Sequence, residues 1–254
     1  MRGTPFDDRV KPKEITICGL AAVKAQFAAS PGAFKRLFFD LPTGRKVGPL
    51  CQALAREKKV YRCVTPAELE KIAGSLHHGG IVAVIEEPRL GAPEKQVERT
   101  WARNRQPLLV LDRVGNAHNL GAIARTAAFF GVPRIIVPDD PAAARPGDAA
   151  HRIAEGGLAH VEIYQVKSLP PFLRALSAAG YDVVGAATRG GRPETKPVGG
   201  QPVALVVGNE EHGLSPEVSA ACGRLVTLPG TGKVESLNVS VAAAVLLWEL
   251  LVRR

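Results

Sequence analysis

Hydrophobic and polar positions alternate along the chain in a regular order: a short apolar run, a polar loop, a longer amphipathic stretch, then another apolar run. The clearest case is LLVLDRVGNAHNLGAIARTAAFFGVPRIIV, residues 108–137. An apolar strand ends at Asp112, a Gly/Asn/His loop follows, and a helix begins near Leu120 and stops at Gly131 before a second strand, which makes a βαβ unit. At about 100° per residue Leu120, Ile123, Ala127 and Phe130 share one face and Arg125 points away from it. Downstream, Pro146 starts a helix that ends at Gly156-Gly157, a strand follows, Ser168 caps the helix of SLPPFLRALSAAG, and YDVVGAAT is a strand ending at Thr188. The fully apolar VALVVG then runs straight into Gly208, Asn209, Glu210 and Glu211. At the end of the chain an apolar run closing in Pro229-Gly230 leads through a loop to a helix with Leu237, Val241, Ala244, Val245, Trp248 and Leu251 on one stripe. Ser236 occupies the expected cap, with Asn238 inside the first turn. Strands alternating with helices predict a mostly parallel α/β sheet over residues 107–254.

The first part repeats the alternation on a smaller scale. ITICG, KRLFFD, VYRCV and GIVAVIEE read as strands, with LAAVKAQFAAS, PLCQALAREKK and TPAELEKIAG as the helices between them. Thr65 with Glu68 forms a capping box and Pro66 takes the first helical position, which fixes that helix well. A compact α/β domain is expected over residues 14–88, after a charged tail at 1–13. Residues 89–106 carry Pro, Gly and charge with little periodicity and read as a linker, in which Trp101 could dock on a domain.

Charge sharpens this division. Residues 1–106 hold 19 Lys and Arg against 11 Asp and Glu, whereas residues 107–254 hold 14 against 13. A basic domain joined to a nearly neutral one suggests a polyanion bound by the first and chemistry performed by the second. Lys35, Arg36, Arg45, Lys46, Lys58 and Lys59 lie near element ends and are the candidates for phosphate contacts. Aromatic residues are too few for an extended base-stacking platform.

Several classes drop out. No apolar run is long enough to span a membrane and the polar N-terminus has no signal core, so a cytoplasmic protein is expected. Cys18, Cys51, Cys63 and Cys222 are scattered without metal or disulfide spacing and read as core thiols. His77 and His78 stand beside Gly79-Gly80 with no carboxylate or Cys at ligand spacing, so a turn is the favoured reason for them, an RNA contact at that turn the second, and no metal is expected. PGTGKV, residues 229–234, lacks the first glycine and the final Ser or Thr of a P-loop. No G-x-G-x-x-G follows a strand, and no G-x-S-x-G supplies a nucleophile.

Three segments together carry a family resemblance. N-x-G-A-I-x-R-T-A (Asn119 to Ala127), V-V-G-N-E-x-x-G-L-S (Val206 to Ser215) and L-P…E-S-L-N-V-S-V-A (Leu228 to Ala242) resemble, in order, the three motifs of the SpoU (TrmH) family of RNA ribose 2′-O-methyltransferases. The resemblance covers roughly residues 107–254. It implies a parallel-sheet domain with a C-terminal trefoil knot, a homodimer, S-adenosylmethionine as cofactor and RNA as partner. The first part resembles, on element order and the HHGG turn, the small L30e-like domain that many members carry as an RNA-binding module.

The resemblance places Asn119, Arg125, Glu210, Ser236 and Asn238 in the catalytic machinery. Gly208, Leu228 and Leu237 match the cofactor-binding positions, with Thr188 and Asn209 beside them at strand ends. Glycine at 208 would allow close approach of the chain to the cofactor. The family proposal makes the arginine the acceptor of the hydroxyl proton. A guanidinium stays protonated in proteins, so Arg125 is better read as gripping the phosphate beside the target ribose, with Ser236 and Asn238 positioning the hydroxyl and Glu210 orienting Arg125 or Asn119. The rival reading is an RNA-binding protein on the same scaffold without catalysis. The extra N-terminal domain favours a large structured RNA, ribosomal before transfer RNA.

Overall fold

A computed structural model describes residues 13–193 and 200–252; the tail expected at residues 1–13 lies outside them except for Lys13. The chain divides into two compact units, one ending at Pro88 and the other beginning at Arg89.

The first unit contains β1 (Glu14–Cys18), α1 (Leu20–Ala29), β2 (Phe34–Phe39), α2 (Leu41–Gly44), α3 (Gly48–Arg56), β3 (Val60–Cys63), α4 (Pro66–Ala73) and β4 (Ile81–Glu86). Its sheet runs β1-β4-β2-β3, with β4 antiparallel to both neighbours and β2 parallel to β3. One face packs Ile15, Ile17, Leu37 and Ile85 against Val23 of α1 and Leu54 of α3; on the other, Val82 meets Leu69 and Ala73 of α4. That two-sided burial is why β4 is apolar without alternation. The capping box closes as expected: Glu68 N donates to Thr65 Oγ1 at 3.3 Å and Thr65 N donates to Glu68 Oε2 at 2.9 Å. The short α2 was not expected; Asp40 caps it by accepting from Thr43 N at 2.9 Å. Cys63 is exposed on the edge strand and so is not a core thiol.

The second unit contains α5 (Val97–Arg103), β5 (Leu108–Asp112), α6 (Ala117–Phe129), β6 (Arg134–Pro138), α7 (Asp148–Ala154), β7 (Glu162–Val166), α8 (Leu169–Ala178), β8 (Asp182–Ala186), β9 (Val203–Gly208), α9 (Pro216–Ala221), β10 (Arg224–Val226) and α10 (Val239–Leu247), which ends in a π-helical turn over Trp248–Val252. All six strands are parallel in the order β10-β8-β9-β5-β6-β7. Successive residues of each strand feed opposite cores. Leu109, Leu111, Leu205 and Val207 pack with α6, α7 and α10, while Leu108, Val110, Ala204 and Val206 pack with α5, α8 and α9.

Three expectations change. The stretch 89–106 carries α5, whose Trp101 is buried beneath the guanidinium of Arg134, 4.8 Å from the ring centre; Tyr181 Oη donates to the Gln106 carbonyl at 2.8 Å. Two helices begin away from the expected place, α6 at Ala117 and α7 at Asp148, because Asn116 and Gly147 take the cap positions. Helix α10 turns the other way round. Val239, Ala243, Leu246 and Leu247 face the core, and Val241, Val245 and Trp248 of the expected stripe are 48%, 38% and 48% exposed. The helix is apolar on every side, so periodicity could not select its packing face.

Candidate active site

Open parallel sheets bind ligands at the carboxyl ends of their strands, and a cavity of about 600 Å³ opens there, at the ends of β8, β9 and β10. Thr188 comes from the segment after β8, Gly208, Asn209 and Glu210 from the end of β9, and Leu228, Ser236 and Leu237 from the long loop between β10 and α10. All five expected cofactor-binding residues therefore line one cavity, of a size suited to a nucleoside-bearing ligand. Its wall mixes apolar side chains such as Leu228, Leu237 and Leu246 with the open backbone of strand ends and glycines.

Beside the cavity three motif residues meet. Asn116 caps α6 by accepting from His118 N at 2.8 Å, which leaves Asn119 in the first helical turn. Asn119 Nδ2 donates to Glu210 Oε1, and Asn238 Nδ2 donates to Asn119 Oδ1 at 3.1 Å. The chain of contacts Asn238–Asn119–Glu210 joins segments that are 91 and 119 residues apart in sequence. Parallel pairing of β5 with β9, Asp112 opposite Gly208, brings the start of α6 and the loop after β9 to the same end of the sheet. Asn238, rather than Ser236, is the cap of α10: its Oδ1 accepts from Ser240 N at 2.9 Å. Ser236 stays in the exposed loop on the cavity wall.

Arg125 stands on the exposed face of α6 and is not among the cavity-lining residues. Its Nη1 lies 3.0 Å from Glu155 Oε1, with both side chains more than half exposed. Of the two partners expected for Glu210, then, the contact is with Asn119; Glu155 takes Arg125. Glu155 was not singled out in the sequence. It is held in the left-handed region (φ 45°), and Gly157 lies so close that an added Cβ would stand 2.7 Å from Arg125 Cα. In sequence, Gly156-Gly157 beside Glu155 signals only the end of a helix. The Arg189–Glu235 pair at 3.0 Å, between two cavity-lining residues, lies in loops that give no periodic signal.

Gly208, on the cavity wall, has a steric reason within the chain itself. A Cβ there would meet Gly213 C at 2.2 Å and Leu214 N at 2.4 Å, so the close approach is by the chain's own loop. Burial pushes the Cys222 thiol up to about 12, with the Asp112 carboxylate adding to the effect, so this cysteine is no nucleophile at neutral pH.

In the first unit the six basic candidates do not form one patch. Lys35, Arg36, Lys58 and Lys59 sit at the amino ends of β2 and β3, and Arg45 and Lys46 beyond the carboxyl end of β2. Lys35 pairs with Glu86 at 2.8 Å, Arg36 with Glu14, and Lys59 with Glu57 at 2.6 Å. Arg45, Lys46 and Lys58 are exposed and form no ion pair among the described residues. The turn before β4 lies at the same end as Arg45 and Lys46: Asp40 N donates to the Gly80 carbonyl at 3.0 Å, and Gly80 N donates to His78 Nδ1 at 3.1 Å. Among the described residues no cluster of three His, Cys, Asp or Glu could hold a metal ion, and no helix is long and apolar enough to cross a membrane.

Comparison with known proteins agrees with this division. Residues 106–248 match the model of the SpoU rRNA Methylase family, and residues 16–91 match that of RNA 2′-O ribose methyltransferase substrate binding. A protein of Yersinia pestis named 23S rRNA (guanosine-2′-O-)-methyltransferase RlmB is 34% identical over 94% of this chain and 97% of its own length. The Escherichia coli O157:H7 protein named uncharacterized tRNA/rRNA methyltransferase YfiF is 33% identical over 95% of this chain and 69% of its own. Among solved structures, the SpoU methyltransferase AviRb of Streptomyces viridochromogenes in complex with AdoMet superposes with a TM-score of 0.71 at 25% identity, covering 93% of this chain and 88% of that one.

Proposed function

The chain belongs to the SpoU rRNA methylase family, and on that premise we propose that it methylates a ribose 2′-hydroxyl of structured RNA, ribosomal RNA before transfer RNA, with S-adenosylmethionine as donor. The observation that carries the reading is the meeting of Asn119, Glu210 and Asn238 beside the cavity at the strand ends. Relatives named as 23S rRNA methyltransferases and an AdoMet complex of the same fold support the reaction class and the cofactor.

When bound, S-adenosylmethionine supplies an electrophilic methyl group. The protein holds it in the cavity largely through the backbone at Gly208, Leu228 and Leu237, with Thr188 and Asn209 along the same wall. Transfer needs the hydroxyl aligned with that methyl and its proton removed. Asn238 and Ser236 position the hydroxyl, and Glu210, by accepting from Asn119, fixes the amide that holds Asn238. Arg125 grips the adjoining phosphate with its planar fork, leaving the carboxylate of Glu155 when RNA arrives. Arg45 and Lys46, beside the turn that precedes β4, make phosphate contacts for the first unit, with Lys58 at its other end. The reading includes a cytoplasmic homodimer with a knotted C-terminal segment. Its interface would cover the exposed side of α10, where Val241, Val245 and Trp248 join Phe130, whose ring lies 6.2 Å from Trp248.

The test is transfer of a labelled methyl group to RNA from a strain lacking the gene, with ribosomal and transfer RNA assayed separately. Label entering ribosomal RNA with the wild type, and lost with Arg125→Ala and Asn238→Ala, is the expected result. Cofactor and RNA binding without transfer to any RNA or ribosomal assembly intermediate would instead identify an RNA-binding protein on this scaffold.

A further inference from the structure

We propose that Asp112, Arg113 and Asn209 form a clamp that sets the wall of the cofactor cavity and the aim of Glu210, and that Asn209 serves the reaction as a positioning residue rather than as a cofactor ligand. The inference rests on the methyltransferase reading. It starts from where the polar atoms of Asn209 go. Its Nδ2 donates to the Arg113 carbonyl at 3.0 Å, and its Oδ1 accepts from Glu211 N at 2.9 Å and from His212 N at 3.1 Å. Its backbone closes a ring with Gly213, donating at 3.1 Å and accepting at 2.9 Å. The side-chain amide is thus committed to the loop that carries Glu210.

The opposing jaw is the end of β5. The Asp112 carboxylate is 3% exposed and accepts from Ser215 N at 2.6 Å and from Arg113 Nε at 3.2 Å. Arg113 also directs Nη2 at the Gly213 carbonyl, 3.4 Å away. It does so from the left-handed region (φ 58°), a conformation that disfavours a residue with a side chain and persists only where the surroundings impose it. The loop after β9 is therefore tied at both ends to residues 112 and 113: its start through Asn209, its finish through Gly213 and Ser215. Between those ties stands Glu210, which lines the cavity and accepts from Asn119. Loosening the clamp moves the cavity wall and the carboxylate together.

Two variants separate positioning from mere stability. Asn209→Asp keeps the acceptor for the Glu211 and His212 amides but replaces the donor to the Arg113 carbonyl with a repelled oxygen. Arg113→Gly suits the left-handed backbone but takes the guanidinium from the buried Asp112 carboxylate, so its unfolding midpoint is read beside its rate. The measurements are the dissociation constant for S-adenosylmethionine, the single-turnover methyl-transfer rate at saturating cofactor, the unfolding midpoint, and amide exchange at Gly213 and Ser215. Both variants are expected to weaken cofactor binding about fivefold and to slow transfer by roughly tenfold to a hundredfold, as a displacement approaching 1 Å at a reacting centre does. Amide exchange should quicken at both positions. Because the clamp acts through Glu210, combining Asn209→Asp with Glu210→Gln should slow transfer no further than the slower single variant. Affinity, rate and exchange within twofold of the wild type in both variants would overturn the clamp, as would effects that multiply with Glu210→Gln. If the wild type transfers no methyl group, the reaction reading fails separately, and amide exchange at Gly213 and Ser215 still decides whether the clamp exists.

Discussion

Replacing Gly208 with alanine should disable transfer while leaving the fold in place. The added Cβ would stand 2.2 Å from Gly213 C, 2.4 Å from Gly213 O and 2.4 Å from Leu214 N, all of them backbone atoms that no rotamer change can move aside. Ordinary contact needs about 3.4 Å or more, so the loop must retreat by roughly 1 Å. That retreat strains the paired bonds between Asn209 and Gly213 and the 2.6 Å bond from Ser215 N to Asp112. Losing two such bonds costs about 1–3 kcal/mol in all. Glu210 travels with the loop, and a misplacement near 1 Å lowers a catalysed rate by about a hundredfold. Single-turnover transfer under saturating cofactor and RNA reads this directly, with denaturant unfolding run in parallel. A Gly208→Ala enzyme within threefold of the wild-type rate would refute the reasoning, since the loop would then have absorbed the methyl group without moving Glu210.

Other consequences concern charge, pH and assembly. Arg125→Lys keeps the charge but loses the planar fork, so methyl transfer should fall by about tenfold or more, with the loss in the RNA-dependent parameters and the affinity for S-adenosylmethionine unchanged; a near-normal rate would remove the two-pronged phosphate grip. His151 is buried, and burial lowers its pKa to about 4, opposed by the nearby Asp148 carboxylate. The unfolded imidazole titrates near 6.5, so the unfolded chain binds the extra proton first, and stability contributed by the neutral form is lost as pH falls from about 6.5 to 4, by at most about 3 kcal/mol. His151→Leu should flatten the pH dependence of the unfolding free energy in that window; an unchanged slope would assign the acid sensitivity to other groups. Trp248→Glu places a charge on the exposed apolar side of α10 and should yield monomers in sedimentation at micromolar concentration, whereas a dimer unaffected by it would place the interface elsewhere.

Local signals in the sequence were strong where the physics is local. The Thr65–Glu68 box and Pro66 define α4 because a cap is made by residues three apart, and the apolar runs at 108–112 and 203–208 read as buried parallel strands because both their faces are covered. The face of α10 was not legible: with Val239, Val241, Ala243, Val245 and Leu247 in succession, every side is apolar, and the choice falls to packing against β9 and α6. Segment 89–106 looked like a linker because α5 is short and anchors through one tryptophan beneath Arg134, a partner distant in sequence. At the site, the motifs named Asn119, Glu210 and Asn238, but only the fold shows which of them touch. Glu155 and Arg113 carry no motif; both are left-handed residues at turns, a state that a side-chain alphabet does not announce.

The central claim is that this site places a methyl group on a ribose hydroxyl, and its most direct test is the chemical position of the label. Ribosomal RNA methylated with labelled S-adenosylmethionine should be hydrolysed in alkali and the products separated. A 2′-O-methyl group removes the hydroxyl that attacks the neighbouring phosphodiester, so the account predicts label in alkali-resistant dinucleotides, present with the wild type and absent with Asn238→Ala. Label released in mononucleotides would mean methylation of a base and would contradict it.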